Sequence, residues 1–103
     1  LLAEHFAPQG AFFELKEWLD ANASDFDFYL VYTDNPNRKG FKYEPWHLSY
    51  APESVPLLKN YLKKEVIKLA YKQQVEGFSF LTPERIDRYL DEHVLGINEA
   101  LLP

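Results

Sequence analysis

Cysteine and methionine are both absent from the chain. Without cysteine there is no disulfide framework and no thiolate zinc site, so any transition metal would have to be held by histidine and carboxylates. The missing methionine, together with the opening Leu1-Leu2, predicts a piece of a longer protein, because translation starts on Met and its removal favours a small following residue. No apolar run approaches the roughly 20 residues of a membrane span. Positive charge is in deficit: 11 Lys and Arg stand against 16 Asp and Glu, and the net charge of −5 argues against nucleic acid as a partner. A Gly-rich phosphate loop, a His-Glu-x-x-His helix, a Gly-x-Ser-x-Gly elbow and a calcium loop are all lacking. Those absences remove nucleotide enzymes, zincins and serine hydrolases.

What remains is aromatic. Of 103 residues, 47% are hydrophobic and 17% aromatic, enough for one compact α+β unit whose modest core leans on large rings. After the turn signal Pro8-Gln9-Gly10, Phe12, Leu15, Trp18 and Leu19 recur at helical spacing and predict a short amphipathic helix over residues 11–22. Phe26 to Thr33 is dense in aromatic and β-branched residues and predicts a strand. The turn formers from Thr33 to Gly40 and a second strand, Phe41 to Tyr50, complete an antiparallel hairpin with a long loop. Beyond Pro52, the stripe Val55, Leu58, Leu62, Val66 and Leu69, opposed by Lys59, Lys63, Lys64, Lys68 and Lys72, predicts one long helix ending near Gly77. Thr82-Pro83-Glu84 reads as an N-cap, a proline at the first helical position and an acid in the first turn. A last helix follows with Ile86, Tyr89, Leu90 and Val94 on its apolar face.

Reactive side chains concentrate in one segment, Lys42 to Tyr50. Glu44 and His47 are the pair a zinc hydrolase needs side by side, an imidazole to bind metal and a carboxylate to take a proton from water. Strict strand alternation would put them on opposite faces, so Pro45 must mark an irregularity that turns both into one cleft. A bare Glu-x-x-His arises by chance about once per thousand residues. The plainer alternative is a solvated Glu and a His packed among aromatics. Tyr43 and Trp46 stay open between pocket wall and core. His5 sits beside Glu4, and His93 beside Asp91 and Glu92, where a surface histidine with acidic neighbours is ordinary.

The whole string Tyr43-Glu44-Pro45-Trp46-His47, preceded by an aromatic strand, a loop with Lys39-Gly40, and a helix with Trp18-Leu19 and Asn22-Ala23, resembles the C-terminal half of the zinc D-alanyl-D-alanine carboxypeptidases of the VanY type. The resemblance covers about residues 11–52. It implies that Glu44 is the general base and that His47 is the last zinc ligand; Trp46 and Tyr43, aromatics beside that ligand, are the candidate substrate contacts. It further implies one Zn²⁺, a peptidoglycan stem peptide as substrate, and a place in the bacterial envelope, periplasmic or extracellular. The implied fold is a hairpin packed with helices, the C-terminal part of a Hedgehog/DD-peptidase-like domain over residues 1–52, followed by a helical extension over residues 53–103. The family's other two ligands belong to a His-x(6)-Asp motif. Seven residues after His5, His47 and His93 stand Phe12, Ser54 and Ala100, so that motif is missing from the sequence, and Ser49 stands where the family commonly carries Arg. The expectation is therefore a peptidase fragment inactive by itself, and its rival is an interaction module that keeps the hairpin without the metal.

Overall fold

Phe13–Asn22 forms helix α1 in a computed structural model that describes residues 1–63 and 76–103. Asn22 closes the helix by donating its side-chain amide to the Trp18 carbonyl at 2.8 Å, and Lys16 pairs with Asp20 one turn along. The expected apolar stripe is only partly covered. Leu19 is half-buried, whereas Phe12, Leu15 and Trp18 remain exposed. Ahead of α1 the 3-10 turn Ala3–Phe6 drops Phe6 into the core, where its ring meets Phe12 at 5.3 Å and Trp46 at 5.8 Å.

Both predicted strands are much shorter in the structure. Strand β1 is Phe28–Leu30 and strand β2 is Leu48–Tyr50, paired antiparallel with Phe28 opposite Tyr50, Tyr29 opposite Ser49 and Leu30 opposite Leu48. The first strand starts late because Ala23–Phe26 is a 3-10 turn closed by Asp27 in the left-handed region at φ 61°, a conformation that Asp tolerates better than most residues. The second starts late because Glu44-Pro45-Trp46-His47 is a turn, closed by the His47 amide donating to the Glu44 carbonyl at 3.1 Å. Proline suits the second position of such a turn, since its φ is already set.

Pairing nevertheless continues on both sides of that turn. The Val31 amide donates to the His47 carbonyl at 2.8 Å, and the Glu44 amide donates to the Tyr32 carbonyl at 3.1 Å. The two consecutive residues that follow β1 thus hold the two ends of the turn, and Pro45 and Trp46 bulge out between them. Pro45 is fully buried.

Chain leaves β2 directly into helix α2, Ala51–Tyr61, with Pro52 in its first turn. The expected single long helix stops there: the ladder tightens, Lys63 donating to the Asn60 carbonyl at 3.1 Å. The remainder of the stripe, Val66 and Leu69, lies outside the described residues. Helix α3, Pro83–Tyr89, begins as expected, the Thr82 hydroxyl accepting from the Arg85 amide at 3.3 Å. It runs into one π-helical turn, Leu90–Val94, closed by Leu95 donating to the Leu90 carbonyl at 2.8 Å.

The last residues return to the sheet. The Asn98 amide donates to the Val31 carbonyl and its side chain to the Leu30 carbonyl, both at 2.9 Å, while its Oδ1 caps the 3-10 turn Glu99–Leu101. That turn packs on α2 and buries Leu101, which joins Phe6, Ala23 and Val31 in the core. Leu101 is 2% exposed and Leu57, on the outer face of α2, is 65% exposed. Leu101→Ala should therefore cost about 2–5 kcal/mol, and Leu57→Ala should stay within about 0.5 kcal/mol. Urea unfolding of both variants checks this, and equal responses would place Leu101 outside the core.

Candidate active site

The bulged turn does what strand alternation forbids. Residues three apart at the ends of one turn point the same way, and Glu44 Oε2 lies 3.0 Å from His47 Nδ1. An ionised carboxylate only accepts, so Nδ1 carries the shared proton and a neutral His47 ring keeps its lone pair on Nε2. The second carboxylate oxygen of Glu44 is not needed for this bond. Both side chains reach solvent, His47 being 46% and Glu44 32% exposed.

Tyr32 completes the surroundings and was not singled out by the sequence. Its ring stands edge-on to the His47 ring, with centroids 4.9 Å apart at 84°, and packs against Phe41 at 5.3 Å. The Arg38 guanidinium carbon lies 5.5 Å from the centroid of the Tyr32 ring. Burial pushes the Tyr32 phenol above its ordinary pKa, the Glu44 charge pushes the same way, and Arg38 opposes both. Alternation of large rings along a strand is common core chemistry, so no motif could have marked Tyr32.

Tyr43 and Trp46 are both half-buried. The Trp46 indole lies against Phe6 and lines an apolar hollow with Phe12, Leu15, Leu19 and Leu48. Ser49 is a strand residue opposite Tyr29. His93 is not the ordinary surface histidine its neighbours suggest. Its ring stacks on Tyr89 at 4.8 Å and meets Phe41 edge-on at 5.3 Å, and its Nδ1 is buried without a hydrogen-bond partner among the described residues. His5 accepts from the Leu2 amide at 3.4 Å and packs near Phe12, on the far end of the chain from the turn.

Zinc takes donors of the kinds His47 and Glu44 supply, but a catalytic site uses three protein ligands. Among the described residues no three His, Asp or Glu side chains come together closely enough to hold a metal. The pair fits zinc in type and falls short in number.

Comparison with known proteins bears on this turn directly. The family model for VanY, D-alanyl-D-alanine carboxypeptidase, matches residues 2–53, half of the chain and the whole of the hairpin with its bulged turn. The chain belongs to the VanY family of D-alanyl-D-alanine carboxypeptidases. An uncharacterized protein of Haemophilus influenzae is 38% identical over 63 residues, which cover 61% of this chain and 47% of that protein, so the chain spans about half the length of this curated relative. No solved structure matches.

Two measurements test the site as built. Zinc titrated into the 103-residue chain should bind weakly, with His47→Ala removing what binding there is. Tight stoichiometric zinc surviving that substitution would move the metal to His5 or His93. Separately, the folded state holds the Tyr32 proton more firmly than the unfolded chain does. That share of stability is whole below the ordinary tyrosine value of about 10 and is lost as pH climbs through the raised folded value. Urea unfolding from about pH 8 to 11 should show a smaller alkaline loss in Tyr32→Phe than in the parent; identical slopes would deny the shift.

Proposed function

We propose that residues 1–52 are the C-terminal part of a zinc-dependent D-alanyl-D-alanine carboxypeptidase domain that trims peptidoglycan stem peptides, and that residues 53–103 form a helical extension packed on it. The observation that carries this reading is the Glu-Pro-Trp-His turn, which lies within the family-matched residues and sets a carboxylate and an imidazole 3.0 Å apart at a solvent-facing edge. Its substrate and setting follow from the family: an acyl-D-alanyl-D-alanine peptide in the bacterial envelope, periplasmic or extracellular.

In this reading His47 contributes one ligand, and the other two come from residues outside the 103. When bound, zinc supplies polarisation of the scissile carbonyl and a more acidic water. Glu44 accepts the proton of the attacking water and then delivers it to the amine of the departing D-alanine, a task for a carboxylate with one oxygen free. Tyr32 walls the pair on one side and limits the water that reaches it. Tyr43 and Trp46 border the turn and would line the approach of the peptide, Trp46 from the apolar side it shares with Phe6.

A second reading has its own support. The donor set is short of three, and Trp18, Phe26 and Phe28 present a contiguous exposed apolar groove, which suits an interaction module that has kept the hairpin and dispensed with metal. The natural protein, assayed for D-alanine release from a stem pentapeptide with zinc present, separates the two. Glu44→Gln should keep its zinc and lose turnover by about 10²–10⁴-fold, as expected for loss of a general base, whereas His47→Ala should lose zinc as well. Full turnover in Glu44→Gln would refute the assignment, and absence of D-alanine release from the parent would favour the module.

A further inference from the structure

Arg38 spends four of its five guanidinium N–H donors on backbone carbonyls. Nε and Nη2 donate to the Thr33 carbonyl at 3.2 and 3.1 Å, and Nη1 donates to the Lys39 carbonyl at 3.1 Å and to the Gly96 carbonyl at 2.7 Å. One side chain therefore joins the exit of β1, the loop after it and a segment 58 residues away. The joint is close-packed backbone against backbone. A Cβ on Gly96 would lie 2.6 Å from the Lys39 carbonyl oxygen, and one on Gly40, at φ +83°, would lie 2.3 Å from that of Glu92. Both glycines are what let the loop and the π-helical turn meet.

The residue Arg38 covers is Tyr32, and Tyr32 touches both members of the pair. Its carbonyl accepts the Glu44 amide and its ring abuts His47. Arg38 contacts neither Glu44 nor His47. We propose that Arg38 is a positioning residue for the Glu44–His47 pair, acting through Tyr32, and that the C-terminal segment at Gly96, beyond the family-matched residues, belongs to the same support. A guanidinium is required rather than a positive charge: a lysine carries all its donors on one nitrogen and cannot reach three separated carbonyls as a planar fork of three nitrogens does.

The proposal rests on reading the pair as functional, but it can be tested without metal or substrate. The probe is the ¹⁵N-labelled 103-residue chain, with the two His47 ring nitrogens observed at a fixed pH about two units above the ordinary histidine value of about 6.5. In the parent, Nδ1 should carry the proton and the two nitrogen resonances should be widely split. In Arg38→Ala and Arg38→Lys the splitting should narrow toward that of Glu44→Ala, in which the acceptor for Nδ1–H is gone. Leu101→Ala, destabilised with every Arg38 hydrogen bond left in place, should leave the His47 resonances at their parent positions.

Parent-like His47 resonances in a folded Arg38→Lys chain overturn the proposal, as does a parent in which Nδ1 carries no proton. An equal change in Leu101→Ala overturns it too, since any loss of stability would then suffice. Should Arg38→Ala not fold, Arg38→Lys decides alone. Parent-like resonances in an enzyme that releases D-alanine sink this inference and spare the peptidase reading; narrowed splitting in a protein that releases none does the reverse.

Discussion

A turn inserted into a β-ladder governs the site. Val31 holds His47 and Tyr32 holds Glu44, so the two residues that follow β1 grip the two ends of the four-residue turn that precedes β2. A ladder gripped this way cannot slip, because a shift of one position would break the bonds on both sides of the bulge. Pro45 suits the buried middle of the turn for two reasons. Its φ matches the turn, and it brings no N–H to a place where a backbone donor would lack a partner. The outcome is that an acid and an imidazole share one face without any bond between side chains being needed to put them there.

Side-chain contacts then refine what the backbone sets. A hydrogen bond this exposed adds little by itself, about 1 kcal/mol or less, so the Glu44–His47 bond is better seen as a consequence of the turn than as its cause. The Tyr32 ring is a firmer constraint. It fills the side of His47 away from solvent, while Phe41 and the Arg38 cation hold it in turn. From Phe41 the packing passes on to His93 and Tyr89 at the far end of the chain. This series of rings is half-exposed, with Phe41 and Tyr89 open to solvent, so it connects the turn to that end of the chain along the surface and not through the core.

Local chemistry was legible in the sequence and distant backbone partners were not. The Thr82 cap, the α1 segment and the irregularity at Pro45 each follow from residues within a few positions of one another. Strand lengths were overestimated because aromatic and β-branched residues crowd Phe26 to Thr33 and Phe41 to Tyr50 alike, and that density fits a 3-10 turn or a bulge flanking a short ladder as well as it fits a strand. The end of α2 at Tyr61 carries no glycine or proline to announce it. Arg38 and Asn98 reached carbonyls 58 and 68 residues away. A carbonyl is common to every residue, so such a partner leaves no mark on the sequence.

This division explains how an incomplete donor set and a well-built turn coexist in one chain. A catalytic zinc site uses three converging protein ligands, and each one missing weakens the hold on the metal. The geometry of Glu44 and His47 depends instead on backbone bonds to Val31 and Tyr32, a buried proline and the Tyr32 ring, all contained within the described residues. A turn of this construction keeps its shape whether or not the remaining ligands are supplied. The energetic cost of ordering the two side chains is then largely met by folding, and under the proposed function a segment that brought a His and an Asp to this edge would meet His47 and Glu44 already placed. Zinc affinity and turnover should consequently separate cleanly, the first following the number of ligands and the second following the placement of one carboxylate.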